Sequence, residues 1–201
     1  MKKLLVSLSI GLVTFVTNSQ EANSVGRAYT EITEEVVINA PIEKVWKEFS
    51  TIENIYLNSP TVNSSTIISE IKTGVGAVRH MEMSIKEGAI LDEKIIEWRE
   101  GTYMKLQVIK IYKVSGIQTM GGDFELIADG EKTILRSTLN YSMTNKMMGL
   151  MNRMMGKNKF AKLWKSILTG YKKHIETGEE VTAKTELDLK NVKLISIVIS
   201  K

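Results

Sequence analysis

Residues 74–98 read GVGAVRHMEMSIKEGAILDEKIIEW, and their alternation of apolar and polar side chains decides the fold class. Successive side chains of a β-strand point to opposite faces of its sheet, so a period of two predicts strands over 75–84 and 89–98. Glu87 and Gly88 lie between them and are typical turn residues. We therefore expect these two strands to form an antiparallel hairpin.

The same pattern extends through the centre of the chain. Further strands are predicted over 30–40, 62–70, 103–113, 117–128 and 132–142. Turn signals that contain glycine separate the last six strands at the spacing of hairpins in a meander. Because no helix intervenes among these six, the pattern favours a seven-stranded antiparallel sheet over a parallel α/β fold.

Helical periodicity appears at both ends of the meander. It predicts a short helix after Pro41, a second over 52–57, and a long amphipathic segment over 145–177. A straight helix of that last length would reach about 50 Å, against about 35 Å for a ten-residue strand, so we expect a break near Gly156. Gly178 fits a helix C-cap.

Composition limits the chemistry that the chain can perform. Apolar residues make up 43% and charged residues 25% of the chain, which is typical of a globular domain. The absence of cysteine excludes disulfides, zinc–thiolate sites and thiol nucleophiles. His80 and His174 lie far apart without metal-ligand spacing. We expect neither a metal nor another cofactor, and we assign no catalytic residue.

The first residues have the pattern of a secretory signal. Two lysines precede an apolar run over 4–16 and a short polar stretch, so we expect a signal peptide over 1–19, cleaved near Ser19, and a secreted or periplasmic protein. An uncleaved anchor is the alternative, although a membrane span needs about 20 apolar residues. Loss of the two lysines lowers the net charge from +4 to +2, which gives no basis for nucleic-acid binding.

The remaining chain divides into three parts. Residues 20–29 form a predicted linker, 30–178 a single domain, and 179–201 a C-terminal extension. The extension contains VKLISIVI over 192–199, which is strongly strand-like. This strand can add to an edge of the sheet, cover it, or pair with a second copy of the chain, and left unpaired it would promote aggregation.

Four short motifs occur in order along the domain. They are INAPIEKVW over 38–46, GVGAVR over 74–79, EKIIEW over 93–98 and TGYKK over 169–173. In this order they resemble the START/Bet v 1-like (SRPBCC) superfamily, in particular its polyketide cyclase/dehydrase-type branch. The resemblance implies an α+β helix-grip fold, in which a curved seven-stranded antiparallel sheet wraps around the long C-terminal helix and two small helices follow the first strand. It also implies an elongated cavity that holds lipids, sterols, hormones or polyketides across the superfamily.

Strand parity places a charged pair inside this cavity. Arg79 shares the parity of Met81, which is the apolar one, and a buried guanidinium needs a partner. Glu93 on the adjoining strand has the parity of Leu91 and is the proposed partner. Two interpretations fit: the pair orients a ligand within the cavity, or both side chains extend to its rim and hydrate the mouth.

The last strand and the long helix supply the other candidate ligand-binding residues. These are Tyr141, Met148, Met151, Met155, Trp164 and Ile167. Methionine packs irregular core gaps but also lines adaptable binding surfaces, so both roles stay open for the methionines of this helix. Lysine and arginine residues beside them add a third role, a transient contact with an anionic membrane.

These features lead to one functional expectation and one alternative. The chain is expected to be an exported binding protein for a hydrophobic small molecule or lipid. The alternative is a polyketide cyclase-, dehydratase- or aromatase-like enzyme. Binding is preferred over catalysis because no acid–base pair can be assigned from the sequence. Self-association through the terminal strand is a further expected interaction.

Overall fold

A computed structural model defines residues 29–200 of the protein. The predicted signal peptide over 1–19 and nearly all of the predicted linker over 20–29 lie outside these residues. The defined part has the expected α+β architecture, with a long C-terminal helical region packed against one face of an antiparallel sheet.

The sheet contains eight strands within the described residues. They are β1 (Tyr29–Ile38), β2 (Val62–Ile67), β3 (Val78–Met83), β4 (Ile90–Arg99), β5 (Tyr103–Tyr112), β6 (Ile117–Asp129), β7 (Lys132–Met143) and β8 (Val192–Ile199). Their order across the sheet is β2-β3-β4-β5-β6-β7-β1-β8. The six-stranded meander is thus confirmed, and the sheet has one strand more than the seven predicted because β8 pairs with the free side of β1.

The first hairpin of the meander is shorter than its sequence pattern predicts. A loop over 68–77 replaces the ends of the strands predicted over 62–70 and 75–84. Gly74 and Gly76 both have positive φ angles, of 78° and 97°, which a regular strand does not contain. Val75 is consequently exposed on a turn instead of pointing inward with Met81.

Two small helices follow β1, and the long helical region follows β7. The former are α1 (Ile42–Ser50) and α2 (Ile55–Asn58), joined by a 3₁₀ turn over Ile52–Asn54. The latter consists of α3 (Lys146–Met151), a π-helical turn over Asn152–Gly156 and α4 (Lys157–Thr177). No break interrupts the region near Gly156, because the backbone stays right-handed helical through the π turn, which marks that position instead. Gly178 ends α4 in the left-handed conformation at φ 76°, as predicted. None of the described helices is both long and apolar enough to cross a membrane.

A buried side chain explains the position of the π turn. Asn152 accepts a hydrogen bond from Tyr141 Oη at 2.8 Å and donates one from Nδ2 to Thr30 Oγ1 at 3.0 Å. A Cβ at position 156 would lie 2.7 Å from Asn152 Oδ1, so only glycine leaves room for this amide. The turn therefore tethers the helical region to β1 and β7.

The core fixes α4 against the sheet and the small helices. Leu168, Tyr171 and Ile175 pack into the cluster that contains the buried residues of β1 and α1. The ring of Tyr171 stacks on Phe49 at 4.3 Å between centroids. A Cβ at Gly170 would collide with the carbonyl oxygen of Asn58, so glycine permits the close approach of α4 and α2.

The strand predicted over 192–199 is an edge strand of the sheet. Val192 is buried in the main core, and Lys165 on α4 donates a hydrogen bond to its carbonyl oxygen at 3.2 Å. Leu194, Ile195 and Val198 are exposed on this strand. Self-association through β8 stays a prediction.

Candidate functional site

A cavity of about 240 Å³ lies between the inner face of the sheet and α4. Its walls come from α2, β2 to β7, the turns at one end of these strands, and α4. Most of the lining side chains are apolar, among them Ile55, Val62, Met81, Met83, Leu91, Leu106, Met120, Phe124, Leu139, Phe160, Leu163, Trp164 and Ile167. The arrangement is suited to excluding water from an apolar molecule.

Two adjacent glycines on β6 shape the wall beside Trp164. A Cβ at Gly121 would lie 2.7 Å from the carbonyl oxygen of Leu106. A Cβ at Gly122 would lie 3.0 Å from the carbonyl oxygen of Thr138 and 3.5 Å from the Trp164 ring. The glycines thus leave room for the backbone carbonyls of the neighbouring strands, and the Trp164 indole lies beside Gly122 and stacks on Phe124 at 5.7 Å between centroids.

The charged pair predicted from strand parity forms inside the protein. Arg79 and Glu93 are directly opposite each other on β3 and β4, and both line the cavity. Arg79 Nε donates to Glu93 Oε2 at 2.9 Å, and Nη2 donates to the same oxygen. Nη1 donates to the carbonyl oxygen of Ile52 at 3.0 Å. Arg79 is therefore held by the protein itself, and its side chain is only 2% exposed.

Electrostatics keep Arg79 ionised despite its burial. Loss of solvation acts to lower its pKa, but the charge and hydrogen bonds of Glu93 and the phenol of Tyr171 outweigh this and raise the pKa above its ordinary value. Burial raises the pKa of Tyr171 to about 12, although the guanidinium acts in the opposite direction. Tyr171 thus stays a neutral phenol behind an ion pair that has no net charge.

The polar end of the cavity presents a hydrogen-bond acceptor to a ligand, because the cation there is already paired. Glu93 Oε2 receives both Arg79 bonds, and Oε1 has no hydrogen bond within residues 29–200. Ser59 and Thr61, which also line the cavity, bond to each other through their hydroxyl oxygens at 2.9 Å. These two hydroxyls lie near Ser84, at the end of β3 away from Arg79, so a ligand group beside the ion pair meets the carboxylate oxygen of Glu93.

The mouth of the cavity lies at the end of the sheet where α3 begins. Ile85, in the turn between β3 and β4, lines the cavity and is exposed. The turn between β5 and β6 lines it through Val114 and Ser115, and Ile117 at the start of β6 also lines it. This turn is fixed to the start of the helical region, because Thr144 N donates to Gly116 O at 3.0 Å.

The structure brings together four of the eight predicted ligand-binding residues. Arg79, Glu93, Trp164 and Ile167 line the cavity, whereas Tyr141, Met148, Met151 and Met155 do not. Tyr141 is buried with its hydroxyl group bonded to Asn152, and Met148 packs against the core beside it. Met151 and Met155 are exposed on the surface.

Several residues that line the cavity were not among the eight predicted ligand-binding residues. Met81, Leu91, Leu106 and Phe124 lie on the inward faces of their strands, so their parity was a usable signal. Phe160 and Leu163 lie on α4 beside Trp164, and helical spacing was the corresponding signal there. Periodicity identifies the inner face but does not distinguish side chains that border a void from those that pack together.

Charged chemistry around the cavity is limited to this one pair. Arg79 and Glu93 are the charged side chains among the described residues that line it. Within residues 29–200, no group of three or more His, Asp or Glu side chains could hold a metal ion. With its apolar walls and this charged pair, the site can enclose and orient a molecule.

Comparison with known sequences identifies one family. Residues 29–176 match the family described as polyketide cyclase / dehydrase and lipid transport. A search of curated protein sequences gave no match.

Solved structures share the fold at low sequence identity. Ginseng major latex-like protein 151 from Panax ginseng has a TM-score of 0.60 and 13% identity, with 72% of this chain and 97% of that chain covered. Truncated norcoclaurine synthase from Thalictrum flavum has a TM-score of 0.57 and 17% identity, with 77% and 98% covered. A START superfamily protein from Mycobacterium smegmatis has a TM-score of 0.55 and 12% identity, with 69% and 94% covered.

Proposed function

The chain belongs to the polyketide cyclase/dehydrase and lipid transport family, and from that premise we propose that it binds a small, largely apolar molecule in its cavity. Membership of the START/Bet v 1 superfamily fits either ligand binding or a cyclase-like function. The observation that favours binding is the enclosed apolar cavity with a single ion pair at its polar end.

The size of the cavity supports a small ligand. Pockets for drug-sized molecules occupy about 300–1,000 Å³, and this cavity has about 240 Å³. A single alkyl chain or a compact ring system matches that space better than a lipid with two chains does. The proposal therefore narrows the expected ligand class to such compounds.

The geometry of the ion pair supports a ligand with a hydrogen-bond donor. Arg79 donates to Glu93 and to the carbonyl oxygen of Ile52, so its charge is already neutralised. Glu93 Oε1 is the atom of the pair that remains to accept a bond. A hydroxyl or amine group on the ligand would complete this site, whereas a carboxylate would be repelled.

A cyclase-like reaction is the alternative that the family allows. Such a reaction needs a side chain that can exchange a proton with the substrate. Glu93 is the cavity carboxylate among the described residues, and Arg79 holds it with two N–H groups. This arrangement supports binding over catalysis.

Export remains part of the proposal and rests on the sequence pattern over 1–19.

Titration with the neutral fluorophore N-phenylnaphthylamine tests the proposal. We expect saturable fluorescence enhancement at one site per chain. Leu163 on α4 lines the cavity and is half-buried. Leu163→Trp should fill part of the cavity and weaken binding by about tenfold or more, equivalent to about 1.4 kcal/mol. Asn158→Trp, on an exposed position of the same helix, is the control and should bind as the unmodified protein does.

Competition between decanol and decanoate tests the polar end. The unmodified protein should release the fluorophore to decanol at lower concentration than to decanoate. Glu93→Gln leaves Arg79 as an uncompensated cation, so the preference should reverse in favour of decanoate. If Leu163→Trp bound the fluorophore with the affinity of the unmodified protein, the cavity would be refuted as the binding site. A preference of the unmodified protein for decanoate would show that the guanidinium, not the carboxylate, meets the ligand.

A further inference from the structure

Five large apolar side chains form an exposed stripe along α3 and the π turn. They are Met147, Leu150, Met151, Met154 and Met155, here called the methionine face, and each is between 56% and 69% exposed. Their spacing places them on one side of the helix. Single exposed apolar residues are ordinary, but a contiguous group of this kind marks an interaction surface.

The charge around the methionine face has one sign. No Asp or Glu occurs between Glu131 and Glu176 in the sequence. Five basic residues lie on or next to the methionine face, between positions 146 and 162, namely Lys146, Arg153, Lys157, Lys159 and Lys162. All but Lys157, which is half-buried, are exposed. A complementary partner therefore has an apolar region next to negative charge.

The face also adjoins the cavity mouth. Met148, the half-buried neighbour of Met147, contacts the turn between β5 and β6 so closely that a Cβ at Gly116 would lie 2.5 Å from its Cε. That turn lines the mouth through Val114 and Ser115. A surface bound to the methionine face would thus lie beside the entrance to the cavity.

We propose that the methionine face is a docking surface for an anionic lipid bilayer. An interfacial helix combines an apolar face with lysine and arginine at its borders, and its binding grows with buried apolar area and with attraction to anionic lipid. A second copy of the chain is disfavoured because a symmetric contact would bring the two basic borders together. A partner helix is disfavoured because the face is the convex side of a helix and offers no groove.

Docking would place the cavity mouth at the membrane, where apolar molecules are concentrated. This role in loading the cavity rests on the proposed function, whereas the docking surface itself does not. An apolar ligand could then pass between the bilayer and the cavity without crossing water.

Vesicle flotation tests the docking surface with the full chain. We expect binding to vesicles of equal parts phosphatidylcholine and phosphatidylglycerol, weakened by added salt, and little binding to pure phosphatidylcholine. Met151→Ser/Met154→Ser should lower the affinity about tenfold or more, because both side chains are exposed and their loss leaves the core intact. Arg153→Gln/Lys159→Gln should lower it about thirtyfold, from about 1 kcal/mol for each basic residue near an anionic surface.

The matched control lies at the opposite end of the sheet. Ile68 and Val75 are each 56% exposed in the loop between β2 and β3. Ile68→Ser/Val75→Ser removes a similar apolar area and should leave vesicle binding unchanged. Equal binding to the two kinds of vesicle, or unchanged binding by Met151→Ser/Met154→Ser, overturns the proposal. A concentration-dependent dimer that Met151→Ser/Met154→Ser abolishes would also overturn it, because a second copy of the chain would then cover the methionine face.

The cavity proposal and the docking-surface proposal can be refuted independently of each other. Leu163→Trp blocks the cavity but leaves the methionine face intact, so it should still float with anionic vesicles. Vesicle binding without fluorophore binding would refute the cavity proposal alone. Fluorophore binding without vesicle binding would refute the docking surface alone.

Discussion

Glu34 places a carboxyl group in the protein interior, on the face of β1 that also carries Ile32 and Val36. The residue is fully buried, and neither carboxylate oxygen has a hydrogen-bond partner among residues 29–200. Burial raises the pKa of the Glu34 carboxyl group from 4.5 to about 7, although the charge of Lys165 on α4 acts in the opposite direction. The native protein therefore holds this proton at pH values where the unfolded chain releases it.

The raised pKa of Glu34 predicts a stability that falls with pH. Below pH 4.5 both states are protonated, and between 4.5 and about 7 the unfolded state alone ionises, so the free energy of unfolding decreases. At about 1.4 kcal/mol for each pKa unit, the loss reaches up to about 3 kcal/mol and then stays constant. Glu34→Gln cannot ionise and should gain stability relative to the unmodified protein over this range.

Urea unfolding below pH 4.5 and above pH 7 measures the difference between the two proteins. The advantage of Glu34→Gln should grow with pH. Glu31→Gln, on the half-buried other face of β1, is the matched control. A Glu34→Gln advantage that is the same at both pH values would contradict the raised pKa.

The π turn is the element that connects the helical region with the sheet. Asn152 bonds both Tyr141 and Thr30, and all three residues are buried. Asn152→Ala would remove one hydrogen bond from each of two buried hydroxyl groups, at a cost of about 1–3 kcal/mol for each bond. We expect a loss of at least about 2 kcal/mol in the free energy of unfolding.

Asn158→Ala on α4 is the matched control for Asn152→Ala, because Asn158 is exposed. Its effect should stay within about 0.5 kcal/mol. Urea unfolding followed by circular dichroism measures both variants. Similar midpoints for the two would mean that the amide of Asn152 does not hold the π turn in place.

Elements in which apolar and polar side chains alternate regularly were predictable from the sequence. Elements whose position depends on tertiary contacts were not. The strands of the meander follow from alternation, and the Arg79–Glu93 pair follows from the parity of adjoining strands. The loop over 68–77 did not follow, because the apolar Val75 continued the pattern through two glycines with positive φ. The π turn depends on a contact between distant residues, Asn152 and Thr30, which no local pattern encodes.

The methionines show the same limit for the candidate site. Their spacing predicts one broad helical face, but periodicity does not specify which side chains of that face meet the core and which meet solvent. Met148 packs against the core, whereas Met151 and Met155 are exposed beside the mouth. Trp164 and Ile167, later in the helical region, line the cavity because α4 lies over the inner face of the sheet.

At the scale of the whole molecule, the two ends of the sheet differ in the elements that they carry. The cavity mouth, the turn between β5 and β6 and the methionine face lie at one end. The loop over 68–77 lies at the other end, where β2 finishes and β3 begins. If a ligand enters through the mouth as proposed, we expect the core between α1, β1 and α4 to stay unchanged.

The C-terminal extension completes this core from outside the meander. Val181 is fully buried and donates its backbone N–H to Leu57 O at 2.9 Å, and Val192 is buried at the start of β8. Beyond Val192, β8 pairs with β1 along nearly its whole length. The extension is thus attached to the domain at two separate places, α2 and β1.

Two truncated chains separate these attachments. A chain that ends at Asn191 keeps Val181 but loses β8, so its melting temperature should fall because Val192 and the ladder with β1 are lost. A chain that ends at Gly178 also loses Val181, whose burial contributes about 1.5–3 kcal/mol, and should melt at a still lower temperature. Thermal unfolding followed by circular dichroism gives the order. If the chain that ends at Gly178 melted with the full chain, the extension would be an appendage and not a part of the core.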